Sequence, residues 1–120
     1  MKYKKMASNP LGVILQLVGA KWKLLIIQEL INSEMRFCEL KKRLGCTSKV
    51  LVTCLKELEK DGLVIREDGE YLDNKIEYYL TDLGYTLSPV IKVMQKWGKD
   101  YKKFRKLVEL SKGSGAENEH

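Results

Sequence analysis

Residues 36–81 read RFCELKKRLGCTSKVLVTCLKELEKDGLVIREDGEYLDNKIEYYLT, and this stretch decides the fold. Phe37, Leu40 and Leu44 recur at helical spacing, which predicts a helix over about Arg36–Leu44, stopped by Gly45. Thr47 or Ser48 then offers a hydroxyl to an unpaired N–H at the start of a second helix. That helix is expected to run to about Asp61, where Gly62 suits the left-handed turn that ends it. Leu63–Glu67 and Lys75–Leu80 follow with strand character, because Ile76, Tyr78 and Leu80 alternate with Glu77 and Tyr79. Asp68-Gly69 between them is a favoured turn pair. Two short helices and a hairpin predict a mainly α domain with a small β-hairpin wing, a winged helix-turn-helix.

On a period of 3.6 residues the second helix has two faces. Leu51, Cys54, Leu55 and Leu58 fall together as a core side, and Lys49, Val52, Thr53, Lys56 and Lys60 fall opposite. In a helix-turn-helix this helix is the one offered to the DNA major groove, with its N-terminal half nearest the bases. Lys49 suits guanine O6/N7 or a phosphate, Thr53 a base edge, and Val52 a thymine methyl. Thr47 and Ser48 join them at the helix start, and Lys56, one turn deeper, suits a phosphate. Arg36, Lys21, Lys42 and Arg43 are either backbone contacts or solvated charges. In the wing only Arg66, Asn74 and Lys75 suit the DNA backbone, because Asp68, Glu70 and Asp73 surround its tip.

Outward from this segment, residues 1–9 read as a flexible polar arm. Leu11, Val13, Ile14, Leu17 and Val18 predict a first helix over 11–18, and a buried one follows from about Lys21 to Ile31. Downstream, Thr81 caps a helical region over 82–110 that Pro89 must kink or divide. Residues 112–120 read as a disordered tail, so the domain spans 10–111.

The chain has 120 residues and a net charge of +6, which favours a polyanionic partner. Residues 1–60 hold a balance of +7, whereas residues 61–85, the wing region, hold −5. No apolar run approaches the ~18 to 20 residues of a membrane span, and no secretion-type apolar segment follows the basic start. A cytoplasmic location is expected. Cys38, Cys46 and Cys54 lack metal-site spacing, so no metal or cofactor is expected and free thiols in a reduced core are the plain reading. The single histidine, His120, stands at the end of the chain. With no phosphate-cradling glycine loop and no organised carboxylate pair, an enzyme is not expected.

Gly19-Ala-Lys-Trp-Lys-Leu-Leu-Ile-Ile, Arg36-Phe-Cys-Glu-Leu, the run Leu51 to Leu63, Ile76-Glu-Tyr-Tyr-Leu-Thr-Asp-Leu-Gly, Ser88-Pro-Val and Lys96-Trp-Gly occur in order. Over about residues 10–98 the chain thereby resembles the HxlR-type regulators, bacterial winged-helix transcription factors related to the MarR family. The resemblance implies a homodimer on a pseudo-palindromic duplex, paired through the N-terminal and long C-terminal helices. The corresponding interface residues are Leu11, Ile14, Leu87, Ile91, Met94, Trp97, Tyr101 and Phe104. Three departures stand out. Asn9-Pro10 replaces a Cys-Pro pair whose thiol senses oxidants in some members, Asp73-Asn74 replaces a Pro-Pro pair in the wing, and Val52 and Cys54 replace polar residues. The acidic wing keeps open an alternative, a winged-helix protein-interaction module with weak or no DNA binding. A small-molecule or redox effector is left unidentified.

Overall fold

The computed structural model describes residues 5–68 and 76–115. The elements run α1 (Pro10–Val18), α2 (Lys21–Asn32), β1 (Met35–Arg36), α3 (Phe37–Leu44), α4 (Ser48–Lys60), β2 (Val64–Asp68), β3 (Ile76–Leu80), α5 (Asp82–Tyr85) and α6 (Ser88–Gly115). The helix-turn-helix and hairpin are therefore present in the expected order. The chain divides into two compact units, one ending at Ser88 and one beginning at Pro89.

In the first unit, helix ends follow from side-chain chemistry. The Asn9 carboxamide accepts from the N–H groups of Leu11 and Gly12 at 2.8 and 3.3 Å, and Pro10 occupies the first turn, where a missing N–H costs nothing. The Gln16 amide donates to the Lys5 carbonyl at 2.7 Å and its oxygen accepts from Ala7 N–H at 3.0 Å. Residues 5–9 are thus fastened to α1, which corrects the expectation of a free arm for that part of it. Gly45 closes α3 at φ 71°, and Gly62 follows the Asp61 cap of α4 at φ 80°.

The sheet holds one more strand than the sequence reading expected. Its order is β1-β3-β2, antiparallel throughout, with Met35 opposite Tyr78 and Arg36 opposite Glu77. Arg36 therefore belongs to a strand and caps α3 instead of opening it. Its N–H donates to Glu39 Oε1 at 3.0 Å. Two residues are too few to show a period-two pattern, and pairing with β3 alone makes them a strand. The core is built from Val18, Ile26, Ile27, Leu30, Leu40, Leu51, Leu55 and Leu58, all nearly free of solvent. Among the described residues no single helix is long and apolar enough to cross a membrane.

Thr81 fastens α5 to the root of the wing. Its hydroxyl donates to the Gly62 carbonyl at 2.7 Å and accepts from Gly84 N–H at 2.9 Å, while its own N–H donates to the Leu63 carbonyl at 3.1 Å. The region expected as one helix over 82–110 is divided as Pro89 requires, into α5 and α6. Helix α6 has 28 residues and is about 42 Å long at 1.5 Å per residue. It runs to Gly115, so residues 112–115 are helical where a disordered tail was expected. The Arg105–Glu109 pair at 3.2 Å and Lys112 in the last turn favour this continuation. The rest of the predicted tail lies outside the described residues.

Candidate nucleic-acid interface

Helix α4 carries the candidate reading surface. Thr47 is its cap, accepting from Val50 N–H at 3.2 Å, and so settles which of the two hydroxyls does this. Ser48 opens the helix and is exposed. Leu51, Cys54, Leu55 and Leu58 are buried, which holds the opposite side outward. Lys49, Val52, Thr53 and Lys56 are all exposed there, Val52 by 38%. Two cationic tips, a hydroxyl and an exposed methyl pair within two turns match the donors and apolar contacts that read base edges.

The backbone candidates are less uniform. Lys21 is exposed but its ammonium lies over the Trp22 ring, 4.4 Å from the centroid. Arg43 leans back on Glu29 of α2, N–O 3.5 Å, whereas Lys42 is exposed. Arg36 is half-buried at the sheet edge. On β2, Arg66 pairs with Asp68 at 3.0 Å, two residues along on the same face. The wing root thus neutralises part of its own charge. Asn74, Lys75 and the remainder of the wing tip lie outside the described residues.

One charged residue near this surface escaped the sequence reading. Lys23 of α2 is only 5% exposed, and its Nζ stands 2.5 Å from Glu57 Oε1 on α4. The signal was available in its spacing, three, four and seven residues before the buried Ile26, Ile27 and Leu30. Cys54 lies close to this pair. Burial pushes its thiol pKa up, the Lys23 ammonium pulls it down, and Glu57 and Cys46 push it up again. Such a thiol stays protonated and poorly nucleophilic. Among the described residues no cluster of His, Cys, Asp or Glu is arranged to hold a metal ion.

The predicted interface residues divide between the two units. In the first, Leu11 is 66% exposed, and Ile14 and Leu87 line an apolar groove of about 220 Å³ with Pro10, Val13, Leu17 and Leu83. In the second, Met94, Trp97, Tyr101 and Phe104 are exposed and Ile91 is buried. Trp97 and Tyr101 stack with centroids 5.4 Å apart, and Tyr101 and Phe104 are tilted at 6.1 Å.

Comparison with known proteins matches residues 17–106 to the model of the HxlR-like helix-turn-helix family. An HTH-type transcriptional regulator of Halalkalibacterium halodurans is 43% identical over 99 residues, covering 81% of this chain and 88% of that protein. The HTH-type transcriptional regulator YdeP of Bacillus subtilis is 40% identical over 94 residues, 78% of this chain and 73% of its own. Among solved structures, the redox regulator HypR in its reduced form superposes with a TM-score of 0.76 at 33% identity, covering 82% of this chain and 98% of that one. The reduced transcriptional regulator YodB of Bacillus subtilis gives 0.71 at 31% identity, with 80% and 95% covered.

Proposed function

Because the chain belongs to the HxlR-like helix-turn-helix family, whose members are transcriptional regulators and not enzymes, we propose that it reads a pseudo-palindromic operator as a homodimer. The observation that carries this reading is the outward face of α4. Lys49, Val52 and Thr53 project from its first two turns while Leu51, Leu55 and Leu58 are locked inward. Helix α4 enters the major groove, Lys49 and Thr53 contact base edges, and Val52 packs on a thymine methyl. Thr47, Ser48, Lys56, Lys21 and Arg36 serve the phosphate backbone, with Arg66, Asn74 and Lys75 of the wing beside them.

Dimerisation is supported by exposed apolar surface. Trp97, Tyr101 and Phe104 are 67%, 43% and 58% exposed, and Leu107 and Leu110 extend the same helix. Aromatic side chains bury roughly 150–250 Å² each when fully covered, so at these exposures the row opens an apolar patch of a few hundred Å², the size at which such patches are often interaction sites. A two-fold pair places its reading helices about one DNA turn, roughly 34 Å, apart.

The test is a double substitution, Lys49→Ala with Thr53→Ala. Each base contact is worth about 1–3 kcal/mol, so operator binding should weaken at least tenfold while binding to unrelated duplex barely changes. An equal loss on both duplexes refutes base reading by these residues. A second reading, a protein-interaction module, draws on the acidic wing root, where Arg66 is occupied by Asp68. A salt titration separates the two. Phosphate contacts steepen the dependence by about 0.9 log unit each, and absence of binding at low salt favours the module.

A further inference from the structure

We propose that the Lys23–Glu57 pair is a positioning device that fixes the rotation of α4 about its own axis, and through it the specificity of DNA reading. This rests on α4 being the reading helix. Lys23 is the one charged residue buried among the described residues. It sits in the first turn of α2, where the helix's own partial charge is positive and gives an ammonium no relief. Its compensation comes from the neighbouring helix, Glu57 Oε1 at 2.5 Å, with side-chain exposures of 6% for the lysine and 48% for the glutamate.

A pair whose lysine is buried in this way does not owe its presence to stability. Replacing such pairs by apolar residues of similar size is commonly neutral or stabilising, and their best-attested use is to fix register. The remaining α4 packing is apolar. Leu51, Leu55 and Leu58 are buried, and the force that buries them has no direction of its own. Glu57 stands one turn beyond Thr53 and one residue beyond Lys56, on the flank between the buried and reading faces. A tether at the flank opposes rotation most directly. At a side-chain radius of about 5–6 Å, a rotation of roughly 20° moves a reading tip by about 2 Å, which no base hydrogen bond survives.

The experiment compares wild type, Lys23→Met and Glu57→Gln by selection from a pool of random duplexes, with thermal unfolding run in parallel. The expected result is that Lys23→Met unfolds within a few degrees of wild type and Glu57→Gln lower, because it leaves the Lys23 ammonium buried without its carboxylate, yet both prefer the selected duplex over unrelated DNA by about tenfold less. Their consensus should lose definition at the positions read by Lys49 and Thr53. Loss in Lys23→Met is the sharper readout, because a buried side chain on α2 touches no DNA. Glu57→Gln also removes a carboxylate near phosphates, but the ratio of the two affinities cancels that general effect. If Glu57→Gln fails to fold, Lys23→Met, which removes the buried charge itself, carries the test alone. A folded variant with the wild-type ratio and consensus overturns the positioning role and leaves α4 as reader. If wild type itself enriches no sequence, the reading of α4 falls and this proposal with it.

Discussion

Gly84→Ala is the substitution whose consequence the geometry states most sharply. A Cβ on Gly84 would stand 2.3 Å from the Leu63 carbonyl oxygen and 3.2 Å from Leu80 Cβ. The first contact is about 1 Å too short and its partner is backbone, so no rotamer change relieves it. The same carbonyl accepts from Thr81 N–H at 3.1 Å, and the Thr81 hydroxyl ties Gly62 to Gly84. Relief therefore means lifting α5 from the wing root and weakening that cluster. Overpacking costs about 1–3 kcal/mol and a lost hydrogen bond about 1, while alanine returns up to about 1 through helix propensity. The net is a loss of about 1–4 kcal/mol. For a unit of this size that lowers Tm by roughly 4–8 °C per kcal/mol, measured by circular dichroism at one fixed protein concentration. Gly45→Ala is the control, since its φ is 71° with nothing within 4 Å of the new Cβ, leaving only about 1–2 kcal/mol of backbone strain. A Gly84→Ala protein that melts with wild type, or above Gly45→Ala, refutes the collision.

Removing the α4 cap by Thr47→Ala should cost about 1 kcal/mol and lower Tm by roughly 4–8 °C, and an unchanged midpoint denies the cap its role. Trp97→Asp should convert a dimer to monomer in sedimentation and weaken operator binding. A dimer that persists removes α6 from the interface. At neutral pH an alkylating reagent should modify exposed Cys38 first and spare buried Cys46 and Cys54 until denaturant is added. Because the Cys54 pKa is raised in the folded chain, its contribution is fully present below the ordinary thiol range and is lost as pH climbs through the folded value. Stability in Cys54→Ala should therefore fall less steeply at alkaline pH than in wild type.

The helix-turn-helix was legible because its signals are local. Phe37, Leu40 and Leu44, then Gly45, Thr47 and the Leu51–Leu58 row each act within one or two turns, and the structure keeps them all. The hairpin was legible from alternation in Ile76–Leu80, whereas β1 was not, because two residues have no period and Met35 is a strand only by virtue of Tyr78. Ile91 shows the same limit. Its helical spacing matched Met94 and Trp97, but only packing decides that it is buried and they are open.

By itself the sequence determined the order of the helices and the hairpin, the two faces of α4 and membership of a regulator family, since propensity, capping and periodicity are written in neighbouring residues. The tertiary structure alone decided that Met35 and Arg36 pair as a strand with β3 and that Lys23 is buried against Glu57. The last is a pairing of charges. A charge looks solvated in any linear reading until the fold brings its partner within reach and excludes the water around it.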